Sequence, residues 1–402
     1  MAMAEPEKKN IVMFPFMAYG HLNPFMALAR QLQRRKGYKI TIVNTPLNIK
    51  KLRSSLPPNS NISFAEIPFN VGADYGLPAG TENTDNLSYG FIIPFMIASE
   101  NLKTPFKNLL LDISRIDGHA PVCVISDMFL GWTVEVAKEL GIFHSVFIAG
   151  AGYSMAVYFS VSLNMRGYCP EKDEFSLLDF PEASKIQRSQ LGNDLIYTEV
   201  AESWWTFKEK QFLFCLSSDA ILLNTIDRLG GAIGAKYFSR KMEGKPVWMI
   251  GPACNNSDTV KKDHKNMQIE SIFAWLDLQA TGSVLHCGWN SVLESLCHGV
   301  PIIGWPLAGE QMFNSKMLED EAGVCMEAAR GIVEGNVKCE RIAEVIKMGM
   351  EEINKGGEMR RKACEMKVKL EEAIKESDGF KGSSIRAMDE FLNTASKKYS
   401  TM

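Results

Sequence analysis

The sequence predicts an α/β fold built as two Rossmann-like, doubly wound domains. Three observations carry this. Short apolar runs alternate with helical stretches along most of the chain, the chain has 402 residues, and 46% of them are hydrophobic. Such alternation covers both faces of a parallel sheet with helices. The length exceeds one ordinary domain, and the composition supplies enough apolar residues for two full cores.

The opening run NIVMFPF reads as a strand buried on both faces. Asn23 can cap a helix with Pro24 at its first position, and Phe25, Leu28, Ala29 and Leu32 recur at helical spacing. Gly37 ends that helix and YKITIVN is the next strand, so the first unit is a right-handed parallel crossover. ISFAEIPF, VCVISD, FHSVFIA, AILLNTI and VWMIG read as further strands, with residues 91–111 and 132–140 helical between them. In the second half VPIIGWP is a strand and GEQMFNSKMLEDEAG a helix closed by Gly323. Residues 337–375 and 383–396 read as charged amphipathic helices. The expected division is a domain over 1–250, an interdomain linker over 251–279 and a second domain over 280–402.

Bulk chemistry narrows the function. The 44 Lys+Arg nearly balance the 47 Asp+Glu and form no basic stripe, which argues against a nucleic-acid partner. Nine scattered cysteines with no CxxC pair fit free thiols in a reducing, cytoplasmic setting. Residues 141–165 lack Asp, Glu, Lys and Arg, a length that suits a membrane span. They contain His144, four serines and three glycines, so they read as strand, loop and buried helix, and no transmembrane segment is expected.

Ligands in doubly wound sheets bind beyond the carboxyl ends of the strands. His21 lies just past the first strand and Asp127 ends VCVISD, so the two can form a dyad. Asp127 would hold one imidazole nitrogen and leave the other to take a proton. The alternative is that His21 is an ordinary turn residue and Asp127 caps the following helix. HCGWNSVLES, residues 286–295, reads as a strand end, a turn and a helix start. Asn290 or Ser291 can cap that helix, whose free N–H groups attract anions, with His286 adding a donor. Glu294 can close a capping box with Ser291 or accept ribose hydroxyls. Glu310 and Gln311 offer acceptors and donors suited to sugar hydroxyls, or simply begin a helix. A zinc site at His286, Cys287, Cys297 and His298 lacks the usual ligand spacing. A nucleophilic role for Cys287 lacks a neighbouring base.

Taken together, HCGWNSVLESLCHGVPIIGWPLAGEQ resembles the later part of the signature of plant family 1 UDP-dependent glycosyltransferases. FPFMAYGHLNPFMALA, GLPAGTENTDN, ISDMFLGW, ILLNTI and PVWMIGP are similar to the same family, so the resemblance covers nearly the whole chain. It implies a GT-B fold, a small lipophilic acceptor such as a flavonoid or phenolic in the first domain, and a UDP-sugar donor in the second. His21 matches the family's base and Asp127 its partner. His286, Asn290 and Ser291 match diphosphate contacts, Trp289 lines that site, and Glu294 matches the ribose ligand. Glu310 and Gln311 match the sugar-binding pair, Gln favouring glucose. No metal or other cofactor is implied. The chain departs from the pattern after WLDLQ (275–279), where the family continues through further βα units and a Trp–Gln pair for uracil. At roughly 30 residues per crossover, two to three units are expected to be missing. The second domain is therefore expected to be incomplete and donor binding weakened.

Overall fold

The computed structural model describes residues 9–35, 37–54, 56, 60–70, 73–85, 87–164, 173–192, 195, 202–254, 283–331, 338–351 and 353–400. WLDLQ and most of the expected linker lie outside them. Seven parallel strands form the first sheet: β1 (Lys9–Phe14), β2 (Tyr38–Asn44), β3 (Ile62–Glu66), β4 (Cys123–Asp127), β5 (Phe143–Ile148), β6 (Ala220–Leu223) and β7 (Val247–Met249). Their spatial order is β3-β2-β1-β4-β5-β6-β7. The order reverses between β1 and β4, where Ile11 pairs with Cys123 and Phe14 with Ser126. Loops leaving these two strands diverge to opposite faces and open a crevice at that point.

The second sheet is also parallel. Among the described residues it holds β8 (Ser283–Leu285), β9 (Ile302–Gly304) and β10 (Cys325–Glu327), in that order. Ser283–Leu285 is therefore the strand that feeds HCGWNS, pairing Ser283 with Ile302. The architecture is α/β as predicted.

Helices cover both sheets. Those used below are α1 (Tyr19–Leu32), α2 (Gly152–Asn164), α3 (Trp289–Cys297), α4 (Gln311–Met317) and α5 (Ser383–Ser400). α2 is buried along nearly its whole length, which explains the uncharged run without a membrane. Among the described residues, no helix is long and apolar enough to cross a bilayer. An apolar cluster including Phe159 and Phe212 continues through Trp289, Leu293 and Phe313, so the faces of the two sheets share one core. α5 runs back to the first sheet, burying Met388 and Phe391 against Phe143 and the half-buried Trp248.

Three local expectations differ. α1 begins at Tyr19 with Ala18 before it, so Pro24 is inside the helix and Asn23 does not cap it. The expected helix over 337–375 is two, Cys339–Met350 and Lys355–Ile374, broken where Asn354 adopts φ 72°. That left-handed conformation cannot continue a right-handed helix. The helix after GEQ starts at Gln311 rather than Gly309 and widens over its last turn, Leu318–Ala322, although it ends at Gly323, φ 64°, the expected left-handed cap.

Candidate active site

His21 sits in the first turn of α1 and Asp127 ends β4, one on each side of the switch point. His21 Nδ1 lies 2.7 Å from Asp127 Oδ2. The other Asp127 oxygen accepts from Phe129 N at 3.0 Å. The carboxylate is thus both the cap and the dyad partner that the sequence offered as alternatives. It is fully buried, while a quarter of the His21 side chain remains exposed. With Nδ1–H donating to Asp127, the neutral ring keeps Nε2 as a proton acceptor. Burial lowers the His21 pKa, but the charge and hydrogen bond of Asp127, helped by Glu310, leave it raised. Phe16 and Phe129 pack their rings 5.7 and 5.5 Å from the imidazole and restrict its rotation.

Across the crevice the chain leaves β8 and turns into α3. Gly288 is the residue before the helix, so neither Asn290 nor Ser291 caps it, and no Ser291–Glu294 capping box forms. A Cβ added at 288 would sit 2.3 Å from His286 Cε1, so glycine there lets the imidazole lie over the turn. His286 folds over this turn, its Nδ1 accepting from Gly288 N at 2.9 Å. The neutral ring then carries its proton on Nε2, a donor for an anion. Trp289 is buried and donates Nε1–H to the Asn224 carbonyl at 2.6 Å, docking α3 on the end of β6. Asn290 Nδ2 donates to the Gly20 carbonyl at 2.8 Å. Glu294 is half-buried, and desolvation raises its pKa. Gln311 Oε1 accepts from Leu307 N and Ala308 N at 2.9 and 3.3 Å, leaving its amide N–H groups as donors.

These residues face one cavity of about 420 Å³. His21 lines it from the first sheet. His286, Trp289, Asn290, Ser291 and Glu294 line it from α3 and its lead-in, and Glu310 and Gln311 from α4. Asp127 stands behind His21. Met128, Phe129, Met155 and Tyr158, which sequence reasoning did not single out, supply an apolar and aromatic wall. No local motif marks them, because ordinary core packing uses the same residue types. Tyr19, at the start of α1, lines the cavity, whereas Phe147, on β5, packs on Phe25 at 5.0 Å in the core.

Cys287 is buried and outside the cavity wall, which removes a nucleophilic role. Cys297 instead lies 3.5 Å, sulfur to sulfur, from Cys254. Among the described residues no three His, Cys, Asp or Glu side chains converge as a metal site.

Residues 7–255 match the glycosyltransferase N-terminal domain family, and residues 279–342 match the UDP-glucuronosyl and UDP-glucosyl transferase family. The chain is 34% identical to UDP-glycosyltransferase 92A1 of Arabidopsis thaliana, with 99% of each covered. It belongs to the UDP-glycosyltransferase family. It is also 32% identical to crocetin glucosyltransferase 3 of Crocus sativus, covering 86% of this UDP-glycosyltransferase and 91% of that one. The fold matches a Glycyrrhiza uralensis glycosyltransferase complexed with glycyrrhetinic acid 3-O-monoglucuronide, with TM-score 0.78, 20% identity and coverage of 98% and 97%. It matches Phytolacca americana UGT2, complexed with UDP-2fluoro-glucose and pterostilbene, with TM-score 0.74, 20% identity and coverage of 96% and 100%. The UDP-glycosyltransferase fold is thus GT-B.

Proposed function

We propose that this chain transfers glucose from UDP-glucose to a hydroxyl or carboxyl of a small lipophilic acceptor, with inversion, and that its nucleotide site is impaired. The observation that carries the transfer is His21, bonded from behind by Asp127, facing the same cavity as the anion-attracting turn at 286–291. Residues 1–250 form the acceptor unit, 251–279 the linker and 280–402 a shortened UDP-sugar unit.

The acceptor lies against Met128, Phe129 and Tyr158, with its hydroxyl toward His21 Nε2. Nε2 takes the hydroxyl proton as the oxygen attacks the anomeric carbon of UDP-α-glucose. Asp127 steadies the imidazolium. The bond to UDP breaks on the opposite face, which gives a β-glucoside. Negative charge growing on UDP meets the α3 N-terminus, His286 Nε2–H, Asn290 and Ser291. Glu294 accepts ribose hydroxyls. Glu310 and the Gln311 amide hold the sugar. The charge is met by the protein's own N–H groups, so this route calls for no metal or other cofactor. Crocetin glucosyltransferase 3, a 32% identical relative, supports glucose as the sugar. The free thiols support a cytoplasmic setting.

Impairment is supported by length. The alignment with the Arabidopsis relative runs over 492 positions against 402 residues here, which leaves at least 90 without a residue of this chain. That equals about three crossover units. A loss of that size after WLDLQ would remove one wall of the nucleotide crevice and the stacking surface for uracil, worth about 1–3 kcal/mol by analogy with stacked bases.

The test has two parts. Isothermal titration with UDP-glucose should show no micromolar binding, and micromolar affinity would refute the impairment. Incubation with UDP-glucose and a panel of flavonoids and phenolics reads transfer directly. Acceptor binding without any product favours the alternative, a non-catalytic acceptor- or partner-binding protein.

A further inference from the structure

Pro24 lies inside α1. In an α-helix the N–H of residue 24 bonds the carbonyl of residue 20, and proline has no N–H. Gly20 therefore lacks that helical donor by covalent structure alone. Its carbonyl accepts Asn290 Nδ2 at 2.8 Å instead. Gly20 immediately precedes His21, and Asn290 stands in the first turn of α3. The hydrogen bond joins the turn that carries the dyad histidine to the turn that carries the anion donors, and it spans the cavity they share.

We propose that Pro24 is a positioning residue for glycosyl transfer: by leaving the Gly20 carbonyl unclaimed, it lets Asn290 set the separation between His21 and the donor helix. The geometry is independent of the donor, and its catalytic meaning rests on the UDP-sugar reading above. An asparagine amide has two N–H groups. One is used by Gly20, and the second remains for a diphosphate oxygen. One side chain then links the leaving group to the turn that carries the base. Fixing that distance matters, because a displacement of about 1 Å between reacting groups costs roughly 100-fold in rate.

If Pro24 merely shapes the helix, removing the Asn290 amide has the same effect whatever residue stands at 24. The full chain is therefore compared with Asn290→Ala, Pro24→Ala and the double variant, by amide hydrogen exchange in peptides covering 18–25 and 286–294. Asn290→Ala should speed exchange in both peptides about fivefold, the equivalent of one ordinary hydrogen bond. In the Pro24→Ala background the new N–H at 24 takes the Gly20 carbonyl, and adding Asn290→Ala should change little. Asn290→Gln, which keeps an amide, should restore part of the protection, and Asn290→Asp should not. Equal effects of Asn290→Ala in both backgrounds, no effect in either, or equivalence of Gln and Asp overturns the proposal. UDP titration of the unaltered chain tests the donor reading separately. Because the impaired site binds UDP weakly, the titration runs to millimolar UDP, and absent binding even there, with the coupling intact, refutes that reading and leaves the Gly20–Asn290 contact standing.

Discussion

Trp289 Nε1 donates to the Asn224 carbonyl oxygen at 2.6 Å, so the indole of α3 is bonded to the end of a strand in the other sheet. The bond is buried and 65 residues apart in sequence. Trp289→Phe keeps the ring in the shared core but removes the N–H. A buried carbonyl then loses a donor, which costs about 1–3 kcal/mol. The urea midpoint should fall accordingly. An unchanged midpoint means that the two sheets are held together by apolar packing alone.

The His21–Asp127 pair makes a pH prediction with a definite sign. The folded pKa of His21 is raised because Asp127 and Glu310 outweigh burial. Its contribution to stability is fully present below the unfolded histidine pKa, near 6.5, and is lost as pH rises through the folded value. Asp127→Asn removes the main favourable partner and leaves the burial. Proton NMR of the ring should then show His21 titrating at lower pH than in the unaltered chain. The stability gap between the two proteins should be widest at mildly acid pH and narrow as pH rises. A higher His21 pKa in the asparagine variant would contradict this balance of forces.

The proposed transfer depends on the same pair. Where the chain glucosylates an acceptor, His21→Ala should lower kcat by about 100- to 10,000-fold, the usual range for a positioned proton acceptor. Acceptor affinity, read by equilibrium binding, should stay within about threefold, since the ring is only one part of a wall shared with Met128, Phe129 and Tyr158. Full activity without the imidazole would remove His21 from the reaction.

The strand ends were readable in advance because their apolar runs are long and bounded. β2 coincides with the predicted YKITIVN, and both dyad residues fall where the alternation places them. The start of α1 was not readable, because Asn23-Pro24 is a strong local capping signal. It is overridden by contacts from far away, since Asp127 bonds His21 and Asn290 bonds Gly20. The last of these pairs is 270 residues apart, and no window along the chain contains it. The Gly288 cap was missed for a similar reason: Asn290 and Ser291 are better caps by residue type, but His286 folds back onto the glycine. β10 has three residues, too few to show a period.

Glu294 exposes a conflict between stability and binding. Its carboxylate is partly desolvated, which raises its pKa, so the charged form is disfavoured in the folded state. Stability therefore falls as pH rises from the unfolded glutamate pKa, near 4.3, through the folded value. Glu294→Gln keeps the shape without the charge. It should be more stable than the unaltered chain at pH 7, and the difference should vanish below about pH 4. It should also weaken any ribose contact, since an amide oxygen is a poorer acceptor than a carboxylate. Thermal unfolding at the two pH values decides the first point. A glutamine variant that is less stable at pH 7 would mean that Glu294 has a compensating partner.

The last helix ties the C-terminal end of the second half back to the first sheet. α5 follows the second sheet in sequence yet packs on the first, with Phe391 fully buried and its ring 6.2 Å from Phe143 and 5.6 Å from Trp248. Lys398 adds an ion pair to Asp219 at 2.9 Å, and Ser384 donates to the Gly251 carbonyl. The part-buried surface ion pair contributes less than the aromatic contact. Phe391→Ala should therefore cost about 3–5 kcal/mol, the range for emptying a buried aromatic site, while Lys398→Ala should cost under about 1 kcal/mol. If the second substitution matched the first, electrostatics rather than packing would hold α5 on the first sheet. Because the chain reaches α5 only after α3 and α4, loosening Phe391 should also raise hydrogen exchange at 286–294. That would show that the return of the C-terminus to the first sheet helps hold the cavity walls at their observed separation.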